Sequence, residues 1–473
     1  MPAPHGRPAR PPGPPVGSIG PFGSEVVHDM GDDVMRVIEW RGADAATRRQ
    51  LLERGFGLVF DDGLRAAISS LVDEVRRDGD AAVLRALARF DDVHITADRL
   101  RVTPEEFAHA RTVVGAGVVA AIADLIDHVR RFNEHLAAQH RDWQMEMEPG
   151  LTAGEKVTPI VSAGLFVPSG KGSFPSVLGQ IGTPAVVAGV PRIVVVVPPV
   201  PGTGGTVDPA VLVTAEMLGI ADVFRVNGPA GVAALAFGTE SIPQVAKVCG
   251  PGSPPVTLAQ LEVQRFGCVS VTLLCMSESL IVADGSVDPV LLAADLLNEA
   301  EHGGDSTSVL VTWDRALLAP TQAELTRQLA LLPEPRRAYA AEALGTNGGA
   351  ILVGGPDEAA EVANAFAPEH LQLSVAADIE TELLAALTNA GEILLGQNTP
   401  FSAGNFVIGA PAALPTNGWA KVSSGITVEA FIKKTAVARA DQRALARMAP
   451  SILALAAHEG FPAHANAVTA RRL

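Results

Sequence analysis

From residue 159 onward, short Val- and Ile-rich runs alternate with helical stretches, and no other feature restricts the fold of this chain as strongly. Runs at 159–167, 192–197, 222–226, 245–249 and 268–274 are separated by helical patterns over 176–190, 208–218, 231–237 and 255–266. A second set follows at 279–283, 308–312, 350–353 and 392–395, again with helical stretches between. Strands that read as continuous apolar runs are buried on both faces, and intervening helices supply the right-handed crossovers of parallel sheets. The pattern therefore predicts an α/β protein with two parallel-sheet domains. Residues 35–148 read as helical, with apolar side chains three and four apart through 64–90 and 113–136. Residues 426–473 read as an amphipathic helical segment too small to stand alone, to be packed on another domain or another subunit.

Composition narrows the function. The chain has 473 residues, 48% hydrophobic and 19% charged, which excludes whole-chain disorder and a small disulfide-stapled fold. With 36 Lys+Arg against 52 Asp+Glu the net charge is -16, a field that repels nucleic acid and anionic membranes. The three cysteines, Cys249, Cys268 and Cys275, lack paired spacing and read as buried thiols of a cytoplasmic protein. Apolar runs such as 193–197 fall far short of the roughly 20 residues a spanning helix needs. Residues 1–34 are Pro/Gly-rich without a continuous apolar stretch, so a disordered tail is expected rather than a signal peptide.

The polar clusters are few. Asp295, Glu299 and His302 fall at i, i+4 and i+7, one stripe of a helix, and Glu299-x-x-His302 is a spacing that places a carboxylate and an imidazole on one metal. The competing reading is a helix C-terminal turn with solvated acids. In Ala367-Pro368-Glu369-His370-Leu371 the proline suits a first helical turn, which puts Glu369 and His370 near a helix start. A carboxylate beside an imidazole suits proton transfer near neutral pH, although end-of-helix charge complementarity would look the same. The small-residue stretch 402–406 reads as a loop that either brings Asn405 to a ligand or simply turns the chain. Glu459 and His464 lie near the C-terminus as ligand-facing or surface residues. Gly250-Pro251-Gly252-Ser253-Pro254-Pro255 begins like a dinucleotide loop but has prolines where backbone N–H groups are needed. The loop from Phe166 to Gly172 comes after a strand and before a helix, where Lys171 would meet an anion, although its spacing is not that of a Walker motif.

Taken in order, AGLFVPSG, TPAVVAGVPRIVVVVPP, AALAFGTESIPQVAKVCGPG, DLLNEAEHGGDS, APEHLQL, SAGNF, ALPTNG, SSGITVEAF and EGFPAHANAV resemble the histidinol dehydrogenase family, from about Met35 to the C-terminus. The resemblance implies two incomplete Rossmann-like domains, one inserted in the other. Residues 62–165 with 277–425 would form the first, carrying metal and catalytic residues, and 166–276 the inserted cofactor side. A helical arm, 35–61, would precede them, and a helical arm, 426–473, would be exchanged in a homodimer. It also implies zinc and NAD, with an alcohol oxidised through an aldehyde to a carboxylate; Glu369 would activate water, His370 would be the general base, and zinc would polarise an amino alcohol.

The departures from the family bear on substrate and cofactor. At the metal positions Gln, His, Asp and His become Glu299, His302, Asn405 and His464, with the summed formal charge unchanged. Ser277 and Glu459 match substrate-contacting positions, but a family histidine is replaced by Ala412. Lys171 is a further substrate-side candidate. Tyr, Gln and Asn on the NAD side become Phe166, Ala230 and Ser253, removing three hydrogen-bonding groups each worth roughly 0.5 to 1.5 kcal/mol. Leu274-Cys275-Met276 is an apolar replacement at the interdomain cleft. The expectation is an NAD-linked, zinc-assisted dehydrogenase of a polar small alcohol or amino alcohol other than histidinol. Two alternatives stay open: a family member repurposed in secondary metabolism for NAD-independent elimination, hydration or cyclisation, and an inactive binding paralogue.

Overall fold

The computed structural model describes residues 34–54, 61–169, 172–271 and 276–471. Residues 1–33 of the expected tail, Lys171, Leu274 and Cys275 lie outside the described residues. The strands, in chain order, are β1 (Val37–Glu39), β2 (Trp143–Glu148), β3 (Leu151–Pro159), β4 (Ala163–Phe166), β5 (Ile193–Val197), β6 (Val223–Arg225), β7 (Lys247–Cys249), β8 (Val269–Val271), β9 (Glu278–Ala283), β10 (Thr307–Thr312), β11 (Gly349–Leu352), β12 (His370–Ser374), β13 (Glu392–Leu395) and β14 (Ile432–Ala440).

Two of the three sheets are fully parallel. One has the order β6-β5-β4-β7-β8, the other β1-β11-β10-β9-β12-β13. Apart from β1, both start in the middle, add two strands to one side, then two to the other. That order is the Rossmann arrangement lacking its last strand. β9, β10 and β11 are buried along their whole length, as strands covered by helices on both faces must be. The third sheet, β14-β3-β2, is antiparallel, and β2 and nearly all of β14 are exposed.

Several expectations need correction. The arm 35–61 is not all helical: Val37 and Ile38 pair in register with Ala350 and Ile351, so β1 extends the six-stranded sheet before the helix Ala45–Leu52 begins. The segment 62–165 does not pack as part of that sheet. Its helices Asp62–Asp78, Asp80–Phe90 and Ala116–Gln139 bury Val72, Leu87, Ile122 and Ile126 in the two clusters that flank the five-stranded sheet, and β4 runs across the expected boundary at 165/166. The segment 426–473 opens with the nine-residue strand β14, antiparallel to β3, before the helices Gln442–His458 and Pro462–Thr469. Among the described residues no single helix is long and apolar enough to cross a membrane.

Candidate functional site

The two parallel sheets meet at one cleft with a cavity volume of about 600 Å³, inside the roughly 300–1,000 Å³ typical of cofactor and substrate sites. They face it with opposite ends. The five-stranded sheet lines it with the C-terminal ends of its strands and the loops beyond: Phe166 ending β4, Pro198 after β5, Asn227 after β6 and Pro251 to Ser253 after β7. The six-stranded sheet lines it with N-terminal ends: Ser277 before β9, Ser306 before β10, and Glu369 and His370 at the head of β12.

Glu369 and His370 are not at a helix start. The helix Pro356–Phe366 ends at Ala367, which takes a left-handed conformation (φ 50°), and after Pro368 and Glu369 the chain enters β12 at His370. Glu369 Oε2 accepts the Glu278 N–H at 3.0 Å, while Oε1 lies 3.8 Å from His370 Nε2. That gap is too long for a direct hydrogen bond and has the span that a bridging oxygen fills. Burial, together with the charges of neighbouring Glu299 and Glu278, outweighs His370 and pushes the Glu369 carboxyl up to about 8. Burial alone would lower the pKa of His370, but the carboxylates of Glu299, Glu369 and Glu392 together raise it to about 10.

Behind Glu369 lies a buried ion pair, Arg54 Nη2 to Glu278 Oε2 at 2.7 Å, with Arg54 also donating to the Phe366 carbonyl and stacking 3.4 Å from that ring's centroid. Glu278 Oε1 accepts the Asn417 N–H at 2.9 Å. Removing the cation strands a buried carboxylate, so Arg54→Ala is expected to lower the unfolding free energy by about 3–5 kcal/mol in urea titrations. An effect below about 1 kcal/mol would show that the pair does not anchor this wall.

The Glu299–His302 spacing is realised. The helix Pro289–Ala300 buries Glu299, and His302 sits just past its end, with its Nδ1 3.3 Å from Glu299 Oε2 and 2.9 Å from Ser277 Oγ. Asn405 donates from Nδ2 to Glu299 Oε1 at 2.6 Å. It sits on a short helix, Phe401–Phe406, rather than in the expected loop. Burial opposes the charge of Glu299, yet His302, His370 and the amides of Asn405 and Asn298 hold its pKa below the ordinary value. Asp295, the third residue of the stripe, is tied instead to Gln372 Nε2 at 2.8 Å.

Among the described residues there is no cluster of three or more His, Cys, Asp or Glu side chains suited to a metal. The donor chemistry still fits a cation: bonds of about 2.0–2.1 Å in a tetrahedron separate two donors by roughly 3.3 Å, the Glu299–His302 spacing, and Asn405 adds an amide oxygen once its side chain turns over. On the cofactor side, Gly228 and Gly252 line the cleft, and a Cβ on either would lie 2.7 and 2.4 Å from Val256 side-chain atoms, so glycine is what lets this helix start and this loop pack against Val256 at the cleft wall.

The other expected site residues divide. Ala412 lines the cavity. Ala230 does not: it is fully buried in the core of the five-stranded sheet, and Gly228 and Pro229 of the same helix face the cleft in its place. Glu459 and His464 are exposed on the C-terminal helices and do not line the cleft of their own chain. Glu392, whose Oε1 lies 2.5 Å from His370 Nδ1, was not among the expected residues. Its only signal in the sequence is an acid opening an otherwise apolar strand, Glu392–Leu395.

Two parallel sheets of Rossmann-type order enclosing an acid–imidazole pair beside a dinucleotide-sized cleft define a dehydrogenase-like α/β protein. The histidinol dehydrogenase family model matches residues 59–472. A histidinol dehydrogenase of Synechocystis sp. is 39% identical over 414 residues, 87% of this chain and 93% of that protein. A histidinol dehydrogenase homolog of Colwellia psychrerythraea is 36% identical over 429 residues, 90% and 94%. The crystal structure of histidinol dehydrogenase from Elizabethkingia anophelis superposes with a TM-score of 0.86 at 29% identity, covering 93% of this chain and 98% of that one. The chain belongs to the histidinol dehydrogenase family, whose members are NAD-dependent oxidoreductases acting on CH–OH groups.

Proposed function

We propose that this protein oxidises a polar small alcohol or amino alcohol other than histidinol, through an aldehyde, with NAD as acceptor and a bound zinc ion. The observation that carries the reading is the convergence of Glu369, His370, Glu299, His302, Asn405 and Ser277 on one cleft. Ala412 removes an imidazole from the same cleft, which argues against histidinol itself. Glu299, His302 and Asn405 are the residues that would hold the zinc, whose chemistry when bound is to polarise an alcohol oxygen. Phe166, Gly228, Pro229 and Ser253 would hold the dinucleotide, the hydride acceptor.

The chain's own groups then divide the proton work. His370 Nδ1 is committed to Glu392, which leaves Nε2 to take the hydroxyl proton as the C–H hydride departs. Glu369, 3.8 Å from that nitrogen, is placed to draw a proton from water adding to the aldehyde on the way to the acid. Ser277 Oγ, 2.9 Å from His302 Nδ1, stands beside the nitrogen that would bind the zinc, and zinc binding there would free its hydroxyl for the substrate.

The assembly belongs to the same proposal. Leu455 and Phe461 at the C-terminal helices are exposed, and neither Glu459 nor His464 lines the cleft of its own chain. A homodimer with exchanged arms covers these side chains and brings Glu459 and His464 to the site of the other subunit.

The first test is calorimetric titration with NAD+, with and without added zinc, and then a screen of alcohols for nicotinamide reduction. Binding with a Kd from micromolar to low millimolar, together with turnover of at least one alcohol, is the expected result. A folded protein that releases no heat at millimolar NAD+ would favour the non-redox alternative, which the loss of a phenol hydroxyl at Phe166, in the cleft, supports.

A further inference from the structure

His370 and Glu392 open neighbouring parallel strands and are paired in register, so backbone geometry alone sets their side chains next to each other. The Glu392 N–H donates to the Glu369 carbonyl at 3.1 Å, which ties the head of β13 to the turn carrying both candidate proton-transfer residues. From there Glu392 Oε1 reaches His370 Nδ1 at 2.5 Å, in a pair whose side chains are 5% and 3% exposed. Phe401 packs edge-on against the far side of the imidazole, with ring centroids 5.9 Å apart. Room for the carboxylate depends on Gly404, where a Cβ would lie 2.8 Å from Glu392 Oε1.

The other oxygen makes the arrangement informative. Glu392 Oε2 is buried without a hydrogen-bond partner. A carboxylate half satisfied in a core is a poor choice for stability, and an aliphatic residue would fill the same strand position at lower cost. The contact that justifies the acid is the one to His370.

We propose that Glu392 is a positioning residue of this site: by accepting the hydrogen bond of the His370 Nδ1–H it fixes the tautomer and ring plane that present Nε2 to the cleft. The step it serves is the proton transfer assigned to His370 above, and the proposal rests on that reading. A carboxylate accepts hydrogen bonds only, so it admits one neutral tautomer, with the proton on Nδ1 and the lone pair on Nε2. An amide in its place is able to donate, and stabilises the opposite tautomer, which has no lone pair to offer the substrate.

Two readouts separate this proposal from the functional reading. Proton and nitrogen NMR of the protein labelled in its histidines, without substrate or NAD, is expected to show a low-field, exchange-protected ring N–H. The signal should be absent in His370→Gln and lost or strongly shifted in Glu392→Gln. Steady-state kinetics on the alcohol identified by screening should then show Glu392→Gln with kcat lowered on the order of 10²-fold and KM within about twofold, and Glu392→Asp should recover part of the loss. Matching circular dichroism and melting temperatures exclude a folding defect. A ring N–H signal unchanged in Glu392→Gln, or full kcat in that variant, would overturn the positioning role. A wild-type protein that shows the signal but turns over no alcohol would instead overturn the proposed reaction.

Discussion

His370→Ala is expected to lower kcat by roughly 10²- to 10⁴-fold, the usual contribution of a placed general base, and to remove the more alkaline part of the pH dependence that the wild-type protein shows. The charges around the ring set the sign. With the imidazole held up near 10 by Glu299, Glu369 and Glu392, most molecules carry His370 protonated at neutral pH and unable to accept a proton. Glu369, at about 8, becomes a carboxylate only as the medium turns alkaline. Both effects act in one direction, so kcat/KM should climb from about pH 7 towards pH 10. Glu369→Gln should remove the contribution beginning near 8 and slow conversion of aldehyde to acid more than formation of the aldehyde. Pre-steady-state nicotinamide reduction across this range separates the two. Activity and profile unaltered by His370→Ala would remove this residue from the chemistry.

The second large effect follows from the proposed exchange of arms. Glu369→Gln and His464→Ala are each expected to be nearly inactive alone in forming the acid. Co-expressed in equal amounts, the two chains should regain about a quarter of wild-type activity, because half of the dimers are mixed and each mixed dimer has one site free of both changes. That site combines Glu369 of one chain with His464 of the partner subunit. If each arm served its own chain, every site in the mixture would keep one defect and no activity would return. Light scattering checks that a dimer is present in both cases.

The two parallel sheets were legible in the sequence for a simple reason: strands covered on both faces leave uninterrupted runs, such as Ile193–Val197, that few other arrangements permit. β12 was not, since His370, Gln372 and Ser374 make it polar, and the partners that let it stay buried come from distant segments, Glu392 and Asp295. β14 hid for the opposite reason. Exposed on both faces, it carries Lys433, Lys434 and Arg439 and shows no apolar stripe of period two. Part of the site split along the same divide. Glu299, in the last turn of its helix, and His302, just past its end, are three residues apart and declare themselves by spacing, whereas Glu392 meets His370 only through strand register, which no local pattern encodes. Ala230 was misplaced because a fully apolar helix, Gly228–Phe237, gives no hint of which residues face a cleft.

The opposed use of strand ends by the two sheets gives the two walls of the cleft different backing. Glu369, His370 and Glu392 are locked by sheet hydrogen bonds at the heads of adjacent strands, whereas the opposite wall is built from loops and helix starts around Phe166, Gly228 and Ser253. Cleft positions on loops that do not also fill the core tolerate exchange at less energetic cost than strand heads in a packed sheet. A lineage built on this frame is therefore free to change what it holds, and what it holds it with, while inheriting its proton chemistry intact.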